Sequence, residues 1–157
     1  MTDLEPGITL RPAAEADAPA VKRLVDDAYG HYQARIGRRP MPMLMDQAAA
    51  IRDREVWVLA DDGRVVGVID LQPDLDHVLI VNVAVDPQHQ GRGLGSRLLV
   101  HAEQRARELN LPEVRLYTNE RFVENLALYG RRGYRETHRV PAGTTAVVHM
   151  RKRLDGG

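Results

Sequence analysis

The stretch Val83-Ala84-Val85-Asp86-Pro87-Gln88-His89-Gln90-Gly91-Arg92-Gly93-Leu94-Gly95-Ser96 decides how this chain folds. Ahead of it, residues 78–85 are nearly continuous, apolar and β-branched, the pattern of a strand covered on both faces. Behind it, Leu94, Leu98, Ala102, Ala106 and Leu109 recur at helical spacing, leaving Arg97, Glu103, Arg105 and Glu108 for solvent. The joint is therefore strand, glycine loop, helix. Glycines at 91, 93 and 95 remove the β-carbons that would hold a ligand off the backbone, so successive N–H groups can converge on an anion. The positive end of the following helix favours the same guest, a diphosphate, and Arg92 adds a countercharge.

The dinucleotide pattern G-x-G-x-x-G fails, because its third glycine would fall on Ser96 or Leu98. A Walker loop fails for want of G-K-[ST]. What fits is Q-x-x-G-x-G, met by Gln90, Gly93 and Gly95 after a strand ending Val-Ala-Val-Asp-Pro. This resembles the coenzyme A pyrophosphate loop of the GNAT superfamily of acyl-CoA-dependent N-acetyltransferases.

Working outward, the chain is 157 residues with 43% hydrophobic content, the size of one domain with a full core. One domain over 1–157 is expected. Lys and Arg total 22, as do Asp and Glu, so no field argues for nucleic acid or anionic membrane. No cysteine is present, which excludes thiol catalysis, disulfides and thiolate metal sites. The N-terminal region lacks an apolar signal core, and no run approaches the ~20 apolar residues of a membrane span. We expect a cytoplasmic protein, monomer or homodimer, without a metal.

Residues 8–11 alternate as a short strand closed by Pro12, and Asp17 reads as the cap of a first helix ending near Gly30. A second helix is expected over 44–52. Residues 55–60 and 64–71 form a hairpin around Asp61-Asp62-Gly63. After the glycine joint and its helix come a strand at 113–118, a helix at 123–131, and strands at 134–140 and 145–150. This order gives an α+β (mixed α/β) class. The resemblance implies a GNAT-like central mixed sheet of about six to seven strands flanked by about four helices.

It also implies the chemistry: acetyl transfer from acetyl-CoA to a primary amine of a small molecule, including an amino acid or derivative. In the family, backbone groups of the central strand meet the pantetheine arm, which maps to Val83, Ala84 and Val85, and residues 91–96 hold the pyrophosphate. Asn125, Leu128-Tyr129 and Gly133-Tyr134 look like the family's second motif, which makes Tyr129 the general acid on the coenzyme A sulfur. A phenol of pKa about 10 protonates a thiolate only when close and dry. The family's asparagine often stands seven residues before that tyrosine, where this chain has Phe122. Asn125 stands four before, and Asn119 is a substitute. Arg132 is placed near the nucleotide 3′-phosphate.

The family's strand glutamate maps onto Leu79 and Val81, which cannot act as a base. Asp70, His77 and water are the candidates. Tyr29, Tyr32, Arg35 and Arg38, with His31 and Arg39, lie where the family builds its acceptor pocket. Arginines beside aromatics can clamp a carboxylate, with Met41, Met43 and Met45 as an apolar wall; a solvated loop is the other reading. A protein or peptide N-acetyltransferase and a non-catalytic acyl-CoA-binding sensor remain alternatives.

Overall fold

The structure, a computed structural model, describes residues 6–154. Its strands are β1 (Ile8–Pro12), β2 (Glu55–Asp61), β3 (Arg64–Pro73), β4 (Val78–Val85), β5 (Glu113–Asn119), β6 (Arg135–Ala142) and β7 (Thr145–Arg153). Its α-helices are α1 (Ala18–Tyr29), α2 (Gln33–Ile36), α3 (Met41–Leu44), α4 (Gln47–Asp53), α5 (Leu94–Glu108) and α6 (Val123–Arg131). The strands join one sheet in the order β1-β2-β3-β4-β5-β7-β6, so the mixed α+β architecture expected from the sequence is the one observed. Four helices run for seven residues or more, and α2 and α3 are single turns. Among the described residues no helix is long and apolar enough to cross a membrane.

Both sheet faces are covered. On one, Leu98, Leu99, Ala102 and Ala106 of α5 pack on Ile69, Leu71, Val78, Ile80 and Leu116. On the other, Val21, Leu24, Val25 and Ala28 of α1 pack with Val58, Val68, Ala84 and Phe122. Each fully buried leucine or valine contributes about 1.5–3 kcal/mol, so these two layers fix where the edges of β4 lie.

Two irregularities of β4 shape the site. Its register with β3 jumps from Asp70↔Asn82 to Leu71↔Ile80, which leaves Val81 as the extra residue of a β-bulge. The bulge shifts the alternation, so Ile80 and Val83 both join the α5 core while Ala84 joins the α1 core. On its other side β4 pairs in parallel with β5 over Val78–Ile80 alone, against Val114, Arg115 and Leu116. Beyond Ile80 the two strands part, and the β4 edge from Val81 onward has no strand partner.

Four local expectations are corrected. The helix expected at 44–52 starts at Gln47, because the Asp46 carboxylate accepts from Ala49 N at 3.0 Å and caps it there, while Leu44 ends α3. Asp17 makes no side-chain cap for α1; its carboxylate accepts from Arg11 at 2.8 and 3.0 Å and from Ala14 N at 2.7 Å. Leu109 lies past the end of α5 and is 39% exposed, with Asn110 turning the chain at φ 59°. Glu103, assigned to solvent, is 3% exposed: it accepts from Lys152 Nζ at 2.9 Å and from the Tyr134 hydroxyl at 3.3 Å.

Candidate acetyl-transfer site

The glycine joint opens as the sequence indicates. Asp86 forms a tight turn, its carboxylate accepting from Gln88 N at 2.9 Å, and the chain then runs through Gly91 at φ 83° and Gly93 at φ 78°. At neither glycine does any atom lie within 4 Å of where a β-carbon would stand, so the loop faces open space. Gly93 is the N-cap of α5 and brings no side chain to its first turn, leaving those N–H groups for an anion. Gly95 differs. A β-carbon there would come 3.2 Å from Leu128 Cδ2, tighter than ordinary contact, so this glycine eases the approach of α6 to α5.

Above the loop lies a cavity of about 540 Å³ lined by Val83, Ala84, Val85, Gln90, Gly91, Gly93, Leu94, Gly95, Ser96, Asn125 and Tyr129, among others. The expected cofactor residues of strand and loop, Arg92 excepted, thus come together in one cleft, with Asn125 on its α6 wall. Gln90 donates through Nε2 to Val85 O at 3.4 Å, and Arg92 stands exposed on the loop. A diphosphate carrier fits this donor set: an open backbone cradle, an uncapped helix start and, from α6, Arg131.

A second cavity, about 250 Å³, opens on the far side of the splay. Ile36, Arg38, Met41, Met45, Asn82 and Phe122 contribute to its walls. Tyr29, Val83 and Tyr129 belong to both cavities, so the two meet at the parted edge of β4. Tyr29 is held there by its hydroxyl, which donates to Val83 O at 3.0 Å.

Tyr129 is buried, and its ring stands edge-on to Tyr134 at 6.2 Å between centroids. No described residue hydrogen-bonds its hydroxyl. Burial, with smaller contributions from Tyr29, Tyr134 and Tyr32, pushes its pKa well above the usual phenol value, so the group is protonated at neutral pH. A neutral phenol at the junction of two cavities can donate a proton; it is no base.

Other expected residues sit elsewhere. Asn119 lines the second cavity, and its amide is bonded at both ends: Nδ2 donates to Thr145 Oγ1 at 2.9 Å and Oδ1 accepts from Arg121 N at 3.0 Å. Arg132 is outside the coenzyme cleft, where its neighbour Arg131 stands instead. Tyr32 lines the coenzyme cleft, stacked on Phe122 at 4.1 Å, with its hydroxyl donating to Glu124 Oε2 at 2.9 Å. Arg35, expected to bind substrate, grips Glu124 through two bonds of 2.8 and 2.9 Å and lies 4.9 Å over the Tyr32 ring. That pairing ties α2 to α6 and holds the Glu124 carboxyl down to about 2, the Arg35 bond being the main cause. Arg39 sits 3.7 Å from Asp26, whereas Arg38 alone of the three arginines lines the acceptor-side cavity. Met41 and Met45 join it there, while Met43 is buried in the α1 core.

Neither base candidate reaches the site. Asp70 is 2% exposed and gives both oxygens to Arg54, each at 2.8 Å. Burial raises its carboxyl against the pull of that guanidinium. His77 lies just ahead of β4 with Nδ1 2.8 Å from Asp76. The acceptor-side lining carries no carboxylate and no histidine among the described residues, which also contain no metal-ligating cluster of three side chains.

The sequence reading passed over Asn82, the polar interruption in the run Val78–Val85. That interruption was the available signal.

Comparison with known proteins agrees with this geometry. The chain aligns with YxbD of Bacillus subtilis (strain 168) at 35% identity over 78 residues, 50% of this chain and 48% of that protein. The chain thus matches about half the length of that curated relative. The PaiA N-acetyltransferase of Thermoplasma acidophilum, solved in complex with coenzyme A, superposes with a TM-score of 0.79 at 16% identity, covering 94% of this chain and 99% of that one. The ribosomal-protein-S18-alanine N-acetyltransferase of Escherichia coli gives 0.76 at 19%, covering 96% of each. YncA of Salmonella typhimurium, solved with acetyl-CoA, gives 0.71 at 22%, again covering 96% of each. At these identities the likeness speaks for the fold. The sequence model of the acetyltransferase (GNAT) family, however, matches residues 20–134, well over half the chain, and the protein belongs to that family.

Proposed function

We propose that the protein transfers the acetyl group of acetyl-CoA to the amine of a small molecule that also carries a carboxylate, an amino acid or a derivative of one. The observation that carries this reading is the meeting of the two cavities at Tyr129. The α5 amides and the Gly91–Gly93 cradle hold the diphosphate, and the parted edge of β4 aligns the pantetheine arm. The amine enters from the Arg38 side and attacks the thioester carbonyl. As the carbon–sulfur bond breaks, Tyr129 donates its proton to the departing thiolate, and the proton lost by the amine leaves through water. Water fills the role of base because, among the described residues, no carboxylate or imidazole lines the acceptor cavity.

Arg38 supports the carboxylate half of the reading. It has no ion-pair partner among the described residues, and a planar guanidinium beside an apolar wall of Met41 and Met45 recognises a carboxylate while repelling a plain ammonium. The modest volume of the pocket, about 250 Å³, supports a small acceptor over a polypeptide. The test is thiol release from acetyl-CoA with amino acids set against their decarboxylated amines. Amino acids are expected to react with roughly tenfold or higher kcat/KM, in line with a charge-assisted pair, and Arg38→Gln should erase the difference. Equal turnover of both sets by the unaltered protein refutes the carboxylate reading, and absence of any acceptor-dependent thiol release favours a binding protein.

A further inference from the structure

Asn82 is the one polar side chain in β4, and it is 4% exposed. Neither its Oδ1 nor its Nδ2 has a hydrogen-bond partner, and both atoms are shielded from bulk water. Asp70, its neighbour across the ladder, spends both carboxylate oxygens on Arg54 and offers it nothing. An amide buried with both ends unmet loses what water gave it and regains nothing, whereas a leucine of similar size would carry no such cost. The fold therefore gains nothing from this amide. Its position offers a use: directly after the Val81 bulge, lining the acceptor cavity, and adjacent to Val83, which lines both cavities.

We infer that Asn82 is a specificity-determining residue that reads the acceptor next to its reacting nitrogen. Oδ1 accepts an N–H of the amine, and Nδ2 donates to an oxygen carried two carbons along, as in a 2-amino alcohol or a 2-amino carbonyl compound. A side-chain amide suits this because it offers one acceptor and a pair of donors without charge. It takes no proton; it holds the amine so that the nitrogen lone pair faces the thioester beside Tyr129, and the amine's proton leaves through water as before. Acceptors lacking the oxygen leave Nδ2 unpaired, and a site built to hydrogen-bond a substrate group discriminates strongly against analogues without it.

This inference rests on the amine-acetyltransferase reading, and its experiment separates the two. A 2-amino alcohol and an unsubstituted alkylamine of the same length are compared by kcat/KM in the unaltered protein, in Asn82→Leu and in Asn82→Asp. The unaltered protein should prefer the oxygenated amine tenfold or more. Asn82→Leu should bring the ratio near one, with acetyl-CoA affinity unchanged and a melting temperature equal to or above the original. Asn82→Asp, which keeps acceptor oxygens and loses the donor, should also lose the preference, while gaining on the cationic alkylamine. A preference that survives Asn82→Leu overturns the inference and leaves the acetyltransferase reading intact. So does a melting temperature several degrees lower, or failure to fold, since the amide would then be supporting the structure. Acetylation of neither amine by the unaltered protein overturns the inference, and if no amino acid is acetylated either, the acetyltransferase reading falls with it.

Discussion

Tyr129 combines two properties that bulk chemistry sets against each other: a proton to give, and a pKa that burial pushes upward. Position reconciles them, because a phenol whose hydroxyl has no hydrogen-bond partner among the described residues can approach a thiolate held at the junction of the two cavities. Its setting is fixed by Tyr134, whose hydroxyl is anchored on Glu103, itself paired with Lys152. Tyr129→Phe keeps the ring packing and removes the proton. We expect kcat to fall about 100-fold, within the usual range for acid catalysis, while acetyl-CoA affinity stays within about threefold. Steady-state thiol release and calorimetry measure the two quantities, and an unchanged kcat would return this tyrosine to a packing role.

At the scale of elements, the joint between β4 and α5 does two jobs with its glycines. Gly91 and Gly93 adopt positive φ over open space, whereas Gly95 lets α6 approach through Leu128. Gly93→Asp places a side chain and a negative charge at the uncapped start of α5, where the diphosphate belongs. Acetyl-CoA affinity should fall at least tenfold by calorimetry, with the circular dichroism of the fold retained; retention of full affinity by a folded variant would remove the loop from the binding site. The Arg35–Glu124 pair works at the same scale. It joins a single-turn helix to the helix carrying Tyr129, and its Glu124 lines the coenzyme cleft.

For the whole molecule, His101 links the sheet's α5 face to pH. Its ring meets Trp57 edge-on at 4.3 Å, and burial, reinforced by Arg97 and Arg105 and opposed by Glu108 and Glu55, lowers its pKa from 6.5 to about 4. The unfolded chain therefore binds this proton first as pH falls, and stability is lost between about 6.5 and 4, by roughly 3 kcal/mol at full effect. His101→Phe keeps a ring against Trp57 without the proton. Thermal melts from pH 7 to pH 4 should show a smaller drop for the variant; parallel curves would mean that His101 titrates alike folded and unfolded.

The sequence by itself determined what local patterns encode. Alternation, helical period and turn residues gave β4, α5, the hairpin and the tail strands within a few residues, and the Gln90–Gly95 motif and Tyr129 pointed to one cleft. These features depend on neighbours within about four positions, where backbone geometry imposes its period. The tertiary structure decided the rest. Arg35 meets Glu124 across 89 positions and Lys152 meets Glu103 across 49, so no local period announces that a predicted substrate arginine is already spent or that a helix glutamate is buried. Arg38 keeps its place at the acceptor cavity for the same reason in reverse: it lies between α2 and α3 with no acid partner among the described residues. The Val81 bulge and the early parting of β4 from β5 arise from pairing between strands, and they alone bring Asn82 and Tyr129 to the two sides of one junction. A strand's sequence specifies which residues alternate; where that alternation slips, and what the slip exposes, depends on the partner strand's register and on the layers packed above it.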